Sequence, residues 1–134
     1  NQNPFKVYDP NGFAIFNSLN TFDNNFGFWV KVNNDPVIDI KVYGPSFNGT
    51  INFNKGWNLT QYYFNEEVDT ATVYKELVDS NLLLQITGVY NDSYVVYDPI
   101  FTLFNTLDNM KPGHGYWIET AAKIDNFSLN YKLK

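Results

Sequence analysis

Histidine occurs once, at position 114, inside Pro112-Gly113-His114-Gly115. A histidine in a turn acts as a general base or metal ligand only where an oriented partner stands beside it. No partner is set at a telling spacing, so a packing or rim role is the simpler reading. A second chemistry, glycosidic hydrolysis, needs two carboxylates about 5–10 Å apart. Asp9 and Asp98 both precede proline, where an aspartate most simply starts a turn. Glu66-Glu67 reads as the solvated start of a helix, where negative charge suits the helix dipole. No acidic run has calcium-loop spacing, and Pro-Gly-His-Gly lacks the glycine spacing and following lysine of a phosphate loop. Cysteine is absent, which excludes disulfides, thiolate metal sites and cysteine nucleophiles. These residues predict no enzyme, no metal site and no cofactor.

The chain is instead rich in aromatics, with 12 Phe, 10 Tyr and 3 Trp. Tyr62, Tyr63, Tyr90 and Tyr94 fall near expected strand ends or turns. With Asn58, Asn65, Asn91 and Asp92 they combine flat apolar rings with amide and carboxylate groups, a mixture that suits carbohydrate hydroxyls. Trp29, Trp57 and Trp117 read first as core wedges, because large aromatics dominate core energetics. The alternative is a sugar-stacking platform, and the glycine beside Trp117's block would leave its ring open. The candidate ligand-binding residues are Tyr62, Tyr63, Tyr90, Asn91, Tyr94 and Trp117. Asn-x-Ser/Thr sequons at Asn48, Asn58, Asn91 and Asn126 are of the number that so many asparagines bring by chance.

The formal net charge is −5, and all 9 basic residues are lysines. Nucleic-acid binding needs clustered positive charge, with arginine for bidentate contacts, so it is not expected. The same charge disfavours an anionic membrane surface. No apolar run approaches the roughly 20 residues of a membrane-spanning helix. A start at Asn1 with Met110 as the sole methionine reads as a processed product or a fragment.

The elements that would position these residues are organised by a repeat. Val7-Tyr8-Asp9-Pro10 returns as Val96-Tyr97-Asp98-Pro99, Phe16-Asn17-Ser18-Leu19 as Phe104-Asn105-Thr106-Leu107, and Gly27-Phe28-Trp29-Val30 as Gly115-Tyr116-Trp117-Ile118. The order is kept with one single-residue gap. His114 stands where the first copy has Phe26. Alternating strands follow each tryptophan, with Ile38, Ile40 and Val42 on one face of the first and Phe127, Leu129 and Tyr131 on one face of the second. Between the copies, Phe53 to Leu59 reads as a turn entering a strand. Val68 to Asp79 reads as a helix with Ala71, Tyr74, Leu77 and Val78 on one face and Asp69 or Thr70 at its cap. Leu82 to Tyr90 and Tyr94 to Tyr97 read as a hairpin joined by Asn91-Asp92-Ser93. The expected fold is a single domain over 1–134. It is mainly β, with antiparallel sheets, sandwich- or barrel-like, with one short α-helix and an internal pseudo-repeat of 7–43 and 96–131 flanking 55–95.

Lys55-Gly56-Trp57-Asn58-Leu59, Tyr97-Asp98-Pro99, Phe104-Asn105-Thr106-Leu107 and Pro112-Gly113-His114-Gly115-Tyr116-Trp117-Ile118 together resemble a repeat domain of large secreted and cell-surface proteins of bacteria and archaea. That domain stands beside polycystic-kidney-disease-like, fibronectin-type or dockerin modules, and a GWNL block precedes a PGxGYWI block in it. The resemblance covers Lys55 to about Ile118, and the first copy departs from it with Asn24-Asn25-Phe26-Gly27. It implies location more than activity: a secreted or cell-surface protein. The expected function is a non-catalytic binding module for carbohydrate or cell-surface recognition, with polysaccharide or glycan as partner. The alternative is a structural spacer or display domain that meets its neighbours in a tandem array.

Overall fold

A computed structural model describes residues 6–21, 30–31 and 49–129. Eight strands lie among them: β1 (Ile51–Phe53), β2 (Gly56–Gln61), β3 (Val68–Asp69), β4 (Leu83–Tyr90), β5 (Ser93–Tyr97), β6 (Asn109–Met110), β7 (Gly115–Thr120) and β8 (Ile124–Phe127). All pairings are antiparallel. The four-stranded sheet runs β2-β7-β4-β5, and β1-β8 and β3-β6 form two ribbons. No barrel closes among the described residues. The strand expected at Ile38, Ile40 and Val42 lies outside them, as do Trp29, Phe26 and Tyr131.

The repeated segments build the same local structure twice. Val96 N–H donates to Thr106 Oγ1 at 3.0 Å, while the N–H groups of Thr106 and Leu107 both donate to the Val96 carbonyl at 2.9 Å. In the first copy Val7 N–H donates to Ser18 Oγ at 3.0 Å, and Ser18 and Leu19 donate to the Val7 carbonyl at 2.9 and 3.0 Å. A 3-10 turn follows the Asp-Pro step in each, at Ala14–Phe16 and Thr102–Phe104. The aspartates start these turns. Asp98 Oδ1 accepts from the N–H groups of Ile100 and Phe101 at 2.7 and 2.8 Å, and Asp9 Oδ1 accepts from Asn11 N–H at 2.9 Å. Serine and threonine are interchangeable here because the fold uses only the hydroxyl.

The GWNL block is a strand with a clamped entry. Gly56 has φ +92°, a backbone conformation that costs a side-chain-bearing residue energy and glycine almost none. Asn58 Oδ1 accepts from Asn54 N–H, and its amide donates to the carbonyls of Asn54 and Gly56, each at 2.8 Å. The hairpin turn is built on Asn91 and Asp92, both left-handed at φ 47° and 62°, between the paired Tyr90 and Ser93. Two such residues match the twist of the flanking strands.

The single expected helix is two short ones, α1 (Thr70–Val73) and α2 (Lys75–Asp79), divided at Tyr74, whose φ of −106° leaves the helical range. The cap is Asp69, which accepts from Thr72 N–H at 2.7 Å. Glu66 and Glu67 therefore precede the helix and β3 rather than forming its first turn. At the far end Asn81 (φ 57°) follows α2, with Leu82 N–H bonding to the Leu77 carbonyl, a Schellman stop.

Val73, Tyr74 and Leu77 close over one face of the four-stranded sheet, joined by Ile86, Tyr116, Ile118, Leu107 and Met110, all essentially buried. Phe53 and Phe127 extend this core at 5.9 Å between ring centres, and Phe127 is stacked on Tyr74. Gly88 makes room for the Tyr116 ring: a Cβ there would lie 3.0 Å from it.

Candidate functional site

With one sheet face committed to the core, strand alternation sends every second side chain of β2, β4, β5 and β7 to the other face. Tyr116 and Ile118 point inward, so Trp117 between them points outward and is half-buried. The sequence reading of the tryptophans as core wedges is thus corrected for Trp57 and Trp117. Trp57 is 45% exposed and sits opposite Glu119 on β7. The cause is the pleat: in Gly-Tyr-Trp-Ile the core can take either Trp117 or both of its neighbours, and two side chains bury more area than one.

Cross-strand pairing orders this outer face in rows. Leu59, Trp117, Thr87 and Val96 form the middle row across all four strands. Trp57, Glu119 and Gln85 form the row beside it. Val89 and Tyr94 are paired on the opposite side, and Tyr94 is 86% exposed. Trp57, Trp117 and Tyr94 therefore lie on one diagonal. Two shallow open depressions follow it. One, of about 390 Å³, is lined by Trp57, Thr87 and Trp117. The other, of about 260 Å³, reaches from Trp117 past Leu59 and Val89 to Tyr94 and His114. The four strands carry one charged side chain, Glu119, and no lysine.

Of the six residues proposed from sequence, the structure brings Trp117 and Tyr94 together on this face, with Asn91 exposed in the adjoining hairpin turn. Of the other three, Tyr62 is buried and corrected, and Tyr63 and Tyr90 are half-buried against the core. Tyr62 is buried, and its hydroxyl donates to the Glu66 carbonyl at 2.8 Å. Tyr63 packs on the core and on the Phe64 ring at 4.8 Å. Burial raises the pKa of its hydroxyl, partly opposed by a hydrogen bond at the Leu129 backbone. Tyr90 lies on the core face of β4, two residues from Gly88, where it meets Tyr116 edge to face at 6.2 Å. Asn58 likewise spends its amide on the Asn54–Gly56 turn rather than on a ligand.

Tyr90 takes part in a relay of hydroxyls. Lys111 N–H donates to Tyr116 Oη at 2.8 Å, the Tyr116 and Tyr90 hydroxyls are hydrogen-bonded, and Tyr90 Oη donates to the Asn109 carbonyl at 3.1 Å. Burial, first, and the mutual hydrogen bond push the Tyr90 pKa far up, and burial raises that of Tyr116. Both hydroxyls stay protonated and hold the Lys111–Gly115 turn to the sheet end. The Lys111 ammonium lies 4.9 Å from the Tyr90 ring centre, and the His114 ring meets Tyr90 edge-on at 4.9 Å. His114 Nδ1 is 3.0 Å from the Pro112 carbonyl. That geometry fixes the imidazole at the rim of the depression that reaches Tyr94.

Sequence reasoning missed Trp57 as a surface residue, along with Glu119, Gln85 and Thr87. The alternation of Trp57-Asn58-Leu59-Thr60 carried no signal for this, because it sets apolar Trp57 and Leu59 against polar Asn58 and Thr60, and it is Thr60 that the structure buries. Among the described residues no three histidine, cysteine or acidic side chains converge as metal ligands, and no helix is long and apolar enough to cross a membrane. No family model matches the chain, and neither a curated protein nor a solved structure does.

Proposed function

We propose that this chain is a non-catalytic binding module of a secreted or cell-surface protein that recognises carbohydrate through the outer face of the β2-β7-β4-β5 sheet. The observation that carries this reading is that exposed Trp57 and Tyr94 and half-buried Trp117 share one sheet face whose opposite side is used by the core. Exposed tryptophan is costly to leave in water, and its flat ring complements the apolar face of a pyranose. Glu119, Gln85 and Thr87 beside the rings offer acceptors and donors for sugar hydroxyls. The resemblance of the GWNL and PGxGYWI blocks to domains of large surface proteins supports the location.

The test is retention on a panel of insoluble and soluble polysaccharides, read with tryptophan fluorescence. Saturable retention with a change in emission is expected. Retention that survives Trp57→Ala combined with Trp117→Ala would refute this face as the site.

One observation favours a second reading, a spacer domain of a tandem array. Val30, the counterpart of Ile118, is 60% exposed whereas Ile118 is 0% exposed. Apolar positions that one copy buries and the other presents to water are what stacking repeat units would cover. Concentration-dependent self-association in sedimentation, with no polysaccharide retained, is the result that would select it.

A further inference from the structure

Resting on the carbohydrate reading, we infer that the outer sheet face takes an extended, uncharged polysaccharide chain laid diagonally across the strands, rather than a chain end or a single sugar. The register sets the path. Trp57 faces Glu119, Trp117 lies one strand over and two residues along, and Tyr94 lies two further strands over and two residues along again, opposite Val89. With strands about 4.8 Å apart and a rise of about 3.4 Å per residue, the steps are about 8 Å and about 12 Å, so the line of rings spans about 20 Å. That is the length of several sugar rings in an extended chain. Leu59, Thr87 and Val89 floor the gaps, and His114 stands at the rim beside Tyr94. A site for a chain end would be a closed pocket that buries most of its ligand. Here the depressions are open and continuous through Trp117, which lines both.

Charge selects the class of polymer. Glu119 is the one charged side chain on the four strands, and it stands between Trp57 and Gln85. An anionic chain laid on this path meets like charge and no lysine, which lowers its affinity. A neutral chain of equatorially substituted, β-linked pyranoses presents apolar ring faces to the aromatics and hydroxyls to Glu119 and Gln85.

The experiment titrates the intact chain with cello- and chito-oligosaccharides from one to six units, and with polygalacturonate, following tryptophan emission. Affinity in at least one neutral series is expected to rise at least about tenfold from the disaccharide to the hexasaccharide. Trp57→Ala and Tyr94→Ala, at the two ends of the path, are each expected to weaken hexasaccharide binding at least about fivefold, since aromatic anchors carry much of a contact's energy. Both side chains lie outside the core, so an unchanged thermal melt accompanies the loss. Length-independent binding of a mono- or disaccharide, stronger binding of polygalacturonate, or unchanged hexasaccharide affinity in both end variants would overturn the diagonal path and leave the carbohydrate reading standing. Absence of binding to every glycan, neutral or anionic, would overturn both.

Discussion

Asn105 and Asp98 hold each other by a reciprocal pair. Asp98 N–H donates to Asn105 Oδ1 at 2.7 Å, and Asn105 Nδ2 donates to the Asp98 carbonyl at 3.1 Å. Asn17 and Asp9 repeat the pair at 2.8 and 3.2 Å. The clamp closes the loop that delivers Leu107 to the core, where it is buried, while the corresponding Leu19 is only half-buried. Asn105→Ala removes both bonds from a partly buried site and is expected to cost about 1–2 kcal/mol in urea unfolding. Asn17→Ala, whose clamp lies in solvent, is expected to cost less than half of that. Equal effects would show that the two loops carry the same weight in the fold.

Gly88 is predicted to be intolerant of alanine. The added Cβ would stand 3.0 and 3.1 Å from two Tyr116 ring carbons and 3.4 Å from Val95 Cγ2. The ring is held in place by the Lys111 and Tyr90 hydrogen bonds and has little room to yield. Gly88→Ala is expected to lower stability by about 1–3 kcal/mol, the usual cost of overpacking. A denaturation midpoint equal to that of the parent would show that the ring shifts freely.

Tyr74 buries its whole ring, and its hydroxyl has no hydrogen-bond partner among the described residues. Removing an unpaired buried hydroxyl while keeping the ring relieves desolvation without opening a cavity. Tyr74→Phe is therefore expected to leave stability unchanged or raise it by up to about 1 kcal/mol, measured by thermal unfolding. A loss of similar size would reveal a partner for that hydroxyl.

Alkali is expected to unfold the domain from about pH 10 upward. Burial raises the pKa values of Tyr63, Tyr74, Tyr90, Tyr97 and Tyr116 above the ordinary 10.0. Above that pH the unfolded chain has released protons that the native state still holds, so the unfolded state binds fewer and stability falls as pH rises. Below pH 10 both states are protonated and these hydroxyls contribute no slope. Tyrosinate absorbance followed together with circular dichroism tests this. Ionisation of all tyrosines near pH 10 with intact secondary structure would contradict the burial.

The sequence by itself determined the repeat, the β-rich architecture, the Asn91-Asp92 turn and a helix cap at Asp69 or Thr70, because each rests on neighbours in the chain. A hydroxyl kept at positions 18 and 106 and an amide kept at 17 and 105 are local hydrogen-bonding requirements, legible from residue type. Two left-handed residues between alternating strands are a local requirement of the same kind. Tertiary structure alone decided which face of each strand met the core. Period-two alternation names two faces but not the buried one, and aromatic residues stand on both. The inward set Tyr116, Ile118, Ile86 and Thr60 was selected jointly, by helices that bring Val73, Tyr74 and Leu77 over one side and by Gly88 opening space for a ring there. That choice sent Tyr90 to the core side, and it left Trp57, Trp117 and Tyr94 on the opposite face of the sheet.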